Sequence, residues 1–434
     1  MPLSTPAPLR VGLAGLGNVG AGVVRLLTEN AALVTRRAGR PVTVTTVSAR
    51  DRNRDRGLDL SAFTWVDDAA ELAARDDVDV VVELIGGSDG PALTLARRTL
   101  GAAKPLVTAN KAMLAHHGLD LAATAEAKGL ALRYEAAVAG GIPIIKALGE
   151  GMAANRIARV YGLLNGTCNY ILTRMEAERL PFAVVLAEAQ AAGYAEADPS
   201  FDIDGIDTAH KLSLLAALAF GARIDFAAVA THGIRAIELA DLDQAAALGF
   251  RIKLVGLAEH SGSTLYQRVH PALVPLDHPL AAASGALNAV TAEGDFVGRL
   301  FFQGRGAGEG PTASAVVADL IDIARGGSTL PFGMPVAALA TLSRADPSTR
   351  RGRYYLRLTV ADRPGVLAEL TAALRDHGVS IESLVQRGES SSGDAMVVMI
   401  THVSDEVAVN ASLAQMAGSD AVTDAPVMMH ILDF

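Results

Sequence analysis

The sequence predicts an α/β chain built on a doubly wound parallel sheet, and three observations carry that prediction. Near the N-terminus a short apolar run, Leu9 to Ala14, enters Gly15-Leu16-Gly17-Asn18-Val19-Gly20 and then a helical stretch to about Asn30. Beyond it, apolar runs short enough for strands alternate with helical segments, the pattern of parallel strands joined by crossovers. A second glycine cluster, Gly304-Arg-Gly306-Ala-Gly308-Glu-Gly310-Pro-Thr312, opens a helix through Ile323 much later in the chain. At 434 residues the chain has room for about three domains of roughly 150 residues each. It is 50% hydrophobic and 20% charged, so a large core is available and bulk disorder is excluded.

In the first cluster each glycine has its own task. Gly15 makes the tight turn, Gly17 lets a pyrophosphate approach the backbone, and Gly20 lets helix and strand pack closely. A strand before the motif and a helix after it identify a Rossmann-type dinucleotide site, with residues 15 to 20 against the cofactor phosphates. The next strand is Val42 to Ser48. Strand Asp79 to Ile85 ends in Gly86-Gly87, helix Pro91 to Leu100 has proline at its start and Gly101 past its end, and strand Pro105 to Thr108 leads into Asn110-Lys111. Ligands of such sheets lie beyond the carboxyl ends of the strands, so Gly86, Gly87, Asn110 and Lys111 are expected to ring the cofactor.

From about Arg156 the pattern changes to strands such as Ala158 to Leu164 and Arg251 to Glu259 between helices, which reads as an inserted α+β domain. The expected division is a nucleotide-binding domain over 1–150, a substrate domain over 151–303, a return to the nucleotide domain over 304–342 and a polar, arginine-rich linker over 343–353. Residues 354–434 then read strand, helix, strand, strand, helix, strand.

Charge and cysteine content narrow the function. The 38 Lys and Arg against 47 Asp and Glu give 38 − 47 = −9, and basic residues do not interleave with aromatics, which argues against a nucleic-acid surface. A single cysteine, Cys168, excludes a disulfide framework and a cysteine-based zinc site. Met1 to Leu9 lacks the apolar stretch of a signal peptide, and no apolar run reaches the roughly 18 residues of a membrane span. The expected setting is cytoplasmic.

The densest charge lies at 196–207, Glu196-Ala-Asp198-Pro-Ser-Phe-Asp202-Ile-Asp204-Gly-Ile-Asp207, five carboxylates with no base. Like charges ~4 Å apart repel by about 4 kcal/mol at an effective dielectric of 20, so the cluster calls for a cation. A calcium loop starting at Ser200 fails because its twelfth position is Lys211 instead of a bidentate Glu. A solvated acidic loop and an ammonium-binding cluster stay open. Asp207 and Lys211 are four apart on one helix face, either a surface pair or, beside a cofactor, a proton donor with its counter-ion. Lys111 is the rival for that role. Cys168 reads as a buried structural thiol, and the ten histidines show no ligand spacing.

Several segments together resemble homoserine dehydrogenases. They are residues 15–20, Val-Thr-Ala-Asn-Lys (107–111), Glu-Ala-Ala-Val-Ala-Gly-Gly-Ile-Pro-Ile-Ile (135–145), Asn-Gly-Thr-Cys-Asn-Tyr-Ile (165–171), Gly-Tyr-Ala-Glu-Ala-Asp-Pro (193–199), Asp204-Gly-x-Asp207-x-x-x-Lys211 and Gly-Arg-Gly-Ala-Gly (304–308). The likeness runs along essentially the whole chain, and the C-terminal portion resembles a ferredoxin-like ACT domain with Asp362-Arg-Pro-Gly365 at its first strand-to-helix turn.

The resemblance implies hydride transfer between L-aspartate 4-semialdehyde and L-homoserine with NAD(P)H. It assigns proton transfer to Lys211, with Lys111 reaching cofactor and substrate. It assigns substrate contacts to Gly193, Glu196 and Asp207, with Tyr194, Asp202 and Thr167 nearby. Gly308 joins the cofactor loop, and a monovalent cation, usually sodium, is held by Glu135 and the backbones of Val138, Gly140 and Ile142. The ACT domain implies a homodimer or homotetramer inhibited by L-threonine. The end of the second strand, Ser48-Ala-Arg50-Asp51, places an arginine where NAD-selective folds carry an acid, so NADP is expected to be preferred, with NAD possible as a second cofactor. Competing readings are a semialdehyde dehydrogenase using Cys168 as a thioester nucleophile and a catalytically silent amino-acid sensor.

Overall fold

The structure, a computed structural model, describes residues 6–327, 329–387 and 393–433. The first five residues of the segment read above for a leader lie outside the described residues. Six parallel strands form the first sheet: β1 (Leu9–Ala14), β2 (Val42–Ser48), β3 (Thr64–Trp65), β4 (Val80–Glu83), β5 (Leu106–Thr108) and β6 (Leu132–Arg133), in the order β3-β2-β1-β4-β5-β6. Val11, Leu13, Val80, Val81 and Val82 are wholly buried, as a sheet covered on both faces requires. The strand order reverses beside β1, which opens the crevice where ligands of such sheets bind. Helices α1 (Asn18–Glu29), α2 (Pro91–Gly101) and α3 (Lys111–Ala127) flank it.

One sequence expectation needs correction here. Strand β4 stops at Glu83, short of Ile85, because the buried Glu83 carboxylate accepts the N–H groups of Ile85 at 2.7 Å and Gly86 at 3.1 Å, together with the Thr108 hydroxyl at 2.6 Å. A side chain takes the place of the ladder and turns Gly86 and Gly87 out toward the crevice, both at φ +84°.

The second sheet is mixed. Its strands are β7 (Ile157–Leu163), β8 (Ala230–Thr231), β9 (Phe250–Ser261), β10 (Thr264–Pro275), β11 (Leu287–Gly294), β12 (Gly298–Arg305) and β13 (Ser343–Arg344), followed by β15 (Tyr354–Ala361), β16 (Ile381–Arg387), β17 (Asp394–Thr401) and β19 (Val427–Ile431) of the C-terminal portion. Two further short strands, β14 (Arg351–Gly352) and β18 (Ser404–Asp405), pair with each other. Helices α4 (Gly166–Glu178), α5 (Ile206–Phe220), α6 (Leu239–Ala247), α7 (Glu309–Ala324), α8 (Val366–Asp376) and α9 (Glu406–Ala417) lie between and after these strands. Helix α5 is buried on every side from Asp207 to Leu218, between α3 and the β9–β10 hairpin. Helix α7 packs along α1, and its Val316 and Leu320 share a core with Leu13 and Val23.

Sequence reading treats the C-terminal portion as a separate module. In the structure β19 pairs in parallel with β10 at Ala272 and Leu273, so one sheet of eleven strands runs from β12 to β16. Residues 343–353, read as a linker, are held at both ends: β13 pairs with β10 and Arg344 grips Asp225 at 2.8 Å, while β14 pairs with β18 of the C-terminal portion. Charged contacts stitch the seam. Arg268 on β10 meets Glu406 of α9 at 2.8 and 2.9 Å with both nearly excluded from water, and Arg357 of β15 meets the buried Asp241 of α6 at 2.7 Å.

Removing one member of a buried ion pair leaves the other unpaired, at about 3–5 kcal/mol. Glu406→Leu should therefore bring forward the first calorimetric unfolding transition by roughly that free energy. Glu406→Leu combined with Arg268→Met should recover most of the loss.

Candidate active site

The site forms where the carboxyl ends of the first sheet face the start of α5. Gly15 sits at φ +99°, and a Cβ there would lie 2.5 Å from the Leu84 carbonyl oxygen. A Cβ on Gly20 would fall 2.0 Å from the Gly15 oxygen, whereas Gly17 faces open space within 4 Å, as a loop that admits phosphate must. Leu16, Asn18 and Val19 complete the turn into α1. Gly308, at φ +114°, caps α7 beside it, and Gly22 of α1 runs so close to Glu309 that a Cβ would meet its side chain at 2.6 Å. Arg50 is exposed just past the end of β2.

Asn110 links this wall to the reacting groups. Its side-chain oxygen caps α3 by accepting the Met113 N–H at 3.0 Å, and its amide donates to the Gly87 carbonyl at 2.7 Å. Lys111, the first residue of α3, is thereby aimed across an open cleft shared with Gly86, Gly87, Phe201 and His210.

Asp207 is the hub. One carboxylate oxygen accepts from Lys211 at 2.7 Å and from the Asn165 amide at 2.9 Å, and the other lies 3.3 Å from the Lys111 ammonium. Burial pushes this carboxyl up, but the charges of Lys211 and Lys111 and the hydrogen bonds from Lys211 and Asn165 outweigh it and hold it at about 2. Lys211 also donates to the Leu164 carbonyl at 2.7 Å. Gly205, at φ +88°, starts α5 and lets it approach Val269 of β10.

The five acids of 196–207 do not all face one way, so the two readings left open divide among them. Asp202 and Asp207 turn inward. Asp204 turns outward to a bidentate pair with Arg235, at 2.5 and 3.0 Å, a base supplied from elsewhere in the chain, and Asp198 caps the Ser200 N–H. Glu196 is exposed on the rim with Gly193 and Tyr194. That rim is tied to α4: Thr167 donates to the Tyr194 carbonyl at 2.9 Å, and the Tyr170 and Tyr194 rings stack at 4.8 Å. Burial raises the Asp202 carboxyl.

Two residues that sequence reasoning left out of the site belong to it. Asn165 caps α4 through its oxygen and donates its amide to Asp202 at 2.7 Å as well as to Asp207. An Asn immediately before a helix was the available signal. His210 lines the cleft, stacked on Phe226 at 4.3 Å, and burial lowers it to about 4, so it is neutral at ordinary pH. Cys168 is fully buried with its sulfur against the Asp202 carbonyl; burial first, then Asp202 and Asp207, push its thiol well up, which denies it the thiolate a thioester route needs.

The residues expected to hold a cation form a separate turn. Glu135 is buried, with one carboxylate oxygen on the Ile145 N–H and the other on the Lys146 N–H, and burial raises it to about 7. Val138 and Ile142 are buried, and Gly140, at φ +55°, packs so tightly that a Cβ would lie 2.4 Å from the Gly306 carbonyl oxygen.

A phosphate-binding glycine turn facing a buried lysine–carboxylate pair, joined to a C-terminal ACT domain, defines a nicotinamide-dependent oxidoreductase with a small-molecule regulatory module. A family model for homoserine dehydrogenase matches residues 143–321, one for its NAD-binding domain matches residues 15–135, and one for the ACT domain matches residues 354–416. The chain is 42% identical over 431 residues to the homoserine dehydrogenase of Pseudomonas aeruginosa, covering 98% of this chain and 99% of that one. It is 40% identical over 424 residues to that of Mycobacterium tuberculosis, covering 96% of each. The structure matches the crystal structure of a homoserine dehydrogenase from Thiobacillus denitrificans with a TM-score of 0.92 at 42% identity, over 98% of this chain and 99% of that one. For the S. aureus homoserine dehydrogenase the TM-score is 0.76 at 31% identity, over 98% and 99%. The chain belongs to the homoserine dehydrogenase family, and is an oxidoreductase acting on a CH–OH group. Among the described residues no helix is long and apolar enough to cross a membrane.

Because the Asp207 carboxyl is held at about 2 against an ordinary 3.8, its ionisation stabilises the fold above pH ~4, and that contribution is lost as pH falls toward about 2. Asp207→Asn should cost about 2 kcal/mol at pH 7 in denaturant titrations, and the gap to the unaltered protein should close between pH ~4 and ~2.

Proposed function

We propose that the enzyme interconverts L-aspartate 4-semialdehyde and L-homoserine with NADP as its preferred cofactor, that Lys211 is the proton donor, and that L-threonine inhibits at the ACT domain. The observation that carries the reading is the Lys211 ammonium. Asp207 and the Leu164 carbonyl take two of its donors, each at 2.7 Å, which leaves a third N–H for a substrate oxygen. When bound, the nicotinamide supplies the hydride. As the new C–H bond forms at the carbonyl carbon, the C=O electron pair moves onto oxygen, and Lys211 first stabilises that charge and then gives up its proton. Asp207 remains ionised and keeps both lysines aimed at the cleft. The inward carboxylate of Asp202 and the rim of Gly193, Tyr194, Glu196 and Thr167 would receive the substrate ammonium.

The turn 135–142 offers only oxygen donors: the Glu135 carboxylate and the main-chain carbonyls of Val138, Gly140 and Ile142. Each Glu135 oxygen accepts one N–H and retains a lone pair, so the set fits a monovalent hard cation such as sodium. Its part there is to hold the turn against the 304–308 loop. In the ACT domain a second cleft is lined by Asp362, Arg363, Pro364 and Gly365, and β16, the last strand of the sheet among the described residues, presents an edge that suits pairing with a second copy into a homodimer or homotetramer.

Lys211→Met should lower kcat by about 10²–10⁴-fold with much less effect on the KM for NADPH; the reverse split assigns proton transfer elsewhere. Homoserine-dependent reduction of NADP should be inhibited by threonine, and Asp362→Ala should abolish the inhibition while keeping kcat within about twofold of the unaltered enzyme.

A further inference from the structure

We infer that Arg56 sets the preference for the 2′-phosphorylated nucleotide, acting as a positioning residue that clamps the arginine loop after β2 onto the glycine turn after β1. The inference rests on the reading that NADP is the preferred cofactor. The Arg56 guanidinium reaches three main-chain carbonyls: Nε donates to Leu16 at 2.9 Å, and the two terminal nitrogens donate to Arg54 at 2.6 Å and Asp51 at 2.5 Å. Leu16 stands between the first two glycines of the phosphate-binding turn, and Asp51 follows Arg50. A single planar fork therefore joins the backbone that faces the pyrophosphate to the backbone that carries Arg50, Arg52 and Arg54.

These contacts use the donors of Arg56 without cancelling its charge, because all three acceptors are neutral. The acids of the loop are turned to local caps, Asp51 on the Asn53 N–H and Asp55 on the Gly57 N–H, both at 2.8 Å, and Asp59 on the Ser61 N–H at 2.9 Å. Arg50, Arg52 and Arg54 are exposed. Trp65, on the edge strand β3, backs the loop: the guanidinium carbons of Arg52 and Arg56 lie 5.7 and 5.9 Å from its ring centroid. The result is a braced, cationic wall beside the end of β2, suited to a phosphate dianion. A lysine at 56 keeps the charge but has no fork with which to bridge the two loops.

The test uses the full-length enzyme with NADPH and NADH as alternative cofactors, and the emission of Trp65, the chain's single tryptophan, as a binding signal for NADP⁺ and NAD⁺. The unaltered enzyme is expected to show a higher kcat/KM with NADPH. Arg56→Gln and Arg56→Lys should each lower the NADPH-to-NADH ratio by about tenfold, through the KM for NADPH, and leave kcat/KM with NADH within about threefold. Quenching of Trp65 by NADP⁺ should move to higher concentration, while the NAD⁺ curve stays in place. An unchanged ratio in both variants overturns the clamp. So does an equal loss with both nucleotides, which marks a contact that merely supports the loop. A ratio at or below one in the unaltered enzyme overturns the NADP reading itself, and the inference with it, before any variant is made.

Discussion

The structure around the reacting centre depends on one carboxylate. Asp207 is almost excluded from water, and an ion so placed persists only where opposite charge and hydrogen bonds repay its lost hydration. Lys211, Lys111 and Asn165 supply these from three different elements: its own helix, the first helical residue after β5, and the loop that opens α4. The nucleotide-binding and substrate-binding halves thus meet at a shared ion, and the two lysines have their separation set by the width of a carboxylate. Electrostatic preorganisation of this kind needs no rearrangement when charge develops on a substrate oxygen.

Much of this architecture was legible because it is local. The roles of Gly15, Gly17 and Gly20 follow from the strand before them and the helix after them, and the i,i+4 spacing of Asp207 and Lys211 puts them on one face of any helix. What sequence could not supply was the partner from far away. Asp204 looked like Asp202 until Arg235 claimed it, and the early end of β4 depends on which way the Glu83 carboxylate turns. Asn165 showed its capping role by position, but its hold on two acids required the fold. The join between β10 and β19 was invisible for the same reason, since a strand edge gives no sign in its own sequence of what lies against it.

The sheet that results spans the substrate-binding portion and the ACT domain without a break, and its seam is polar. Arg268 with Glu406 and Arg357 with Asp241 are directional contacts, joined there by His430 beside Glu406 and by the Tyr355 hydroxyl on Asp241, so the two portions meet through a hydrogen-bonded network as well as through apolar packing. β10 also touches α5 on its face at Val269, opposite Gly205. A shift in how the ACT domain sits on β10 would thus be felt at the first turn of the helix that carries Asp207 and Lys211.

Helix α7 has a consequence for the order in which the molecule can assemble. Its Val316 and Leu320 complete a core that Leu13 and Val23 begin, yet it is synthesised only after the whole inserted domain. During translation the first sheet emerges with one side of α1 uncovered, and it stays so until the intervening sheet and helices have been made. The inserted domain, whose hairpins pair neighbours in sequence, can close without waiting. The strands of the dinucleotide-binding unit are therefore made before the inserted domain but complete their core only after it, and the newborn chain acquires its finished cofactor site late.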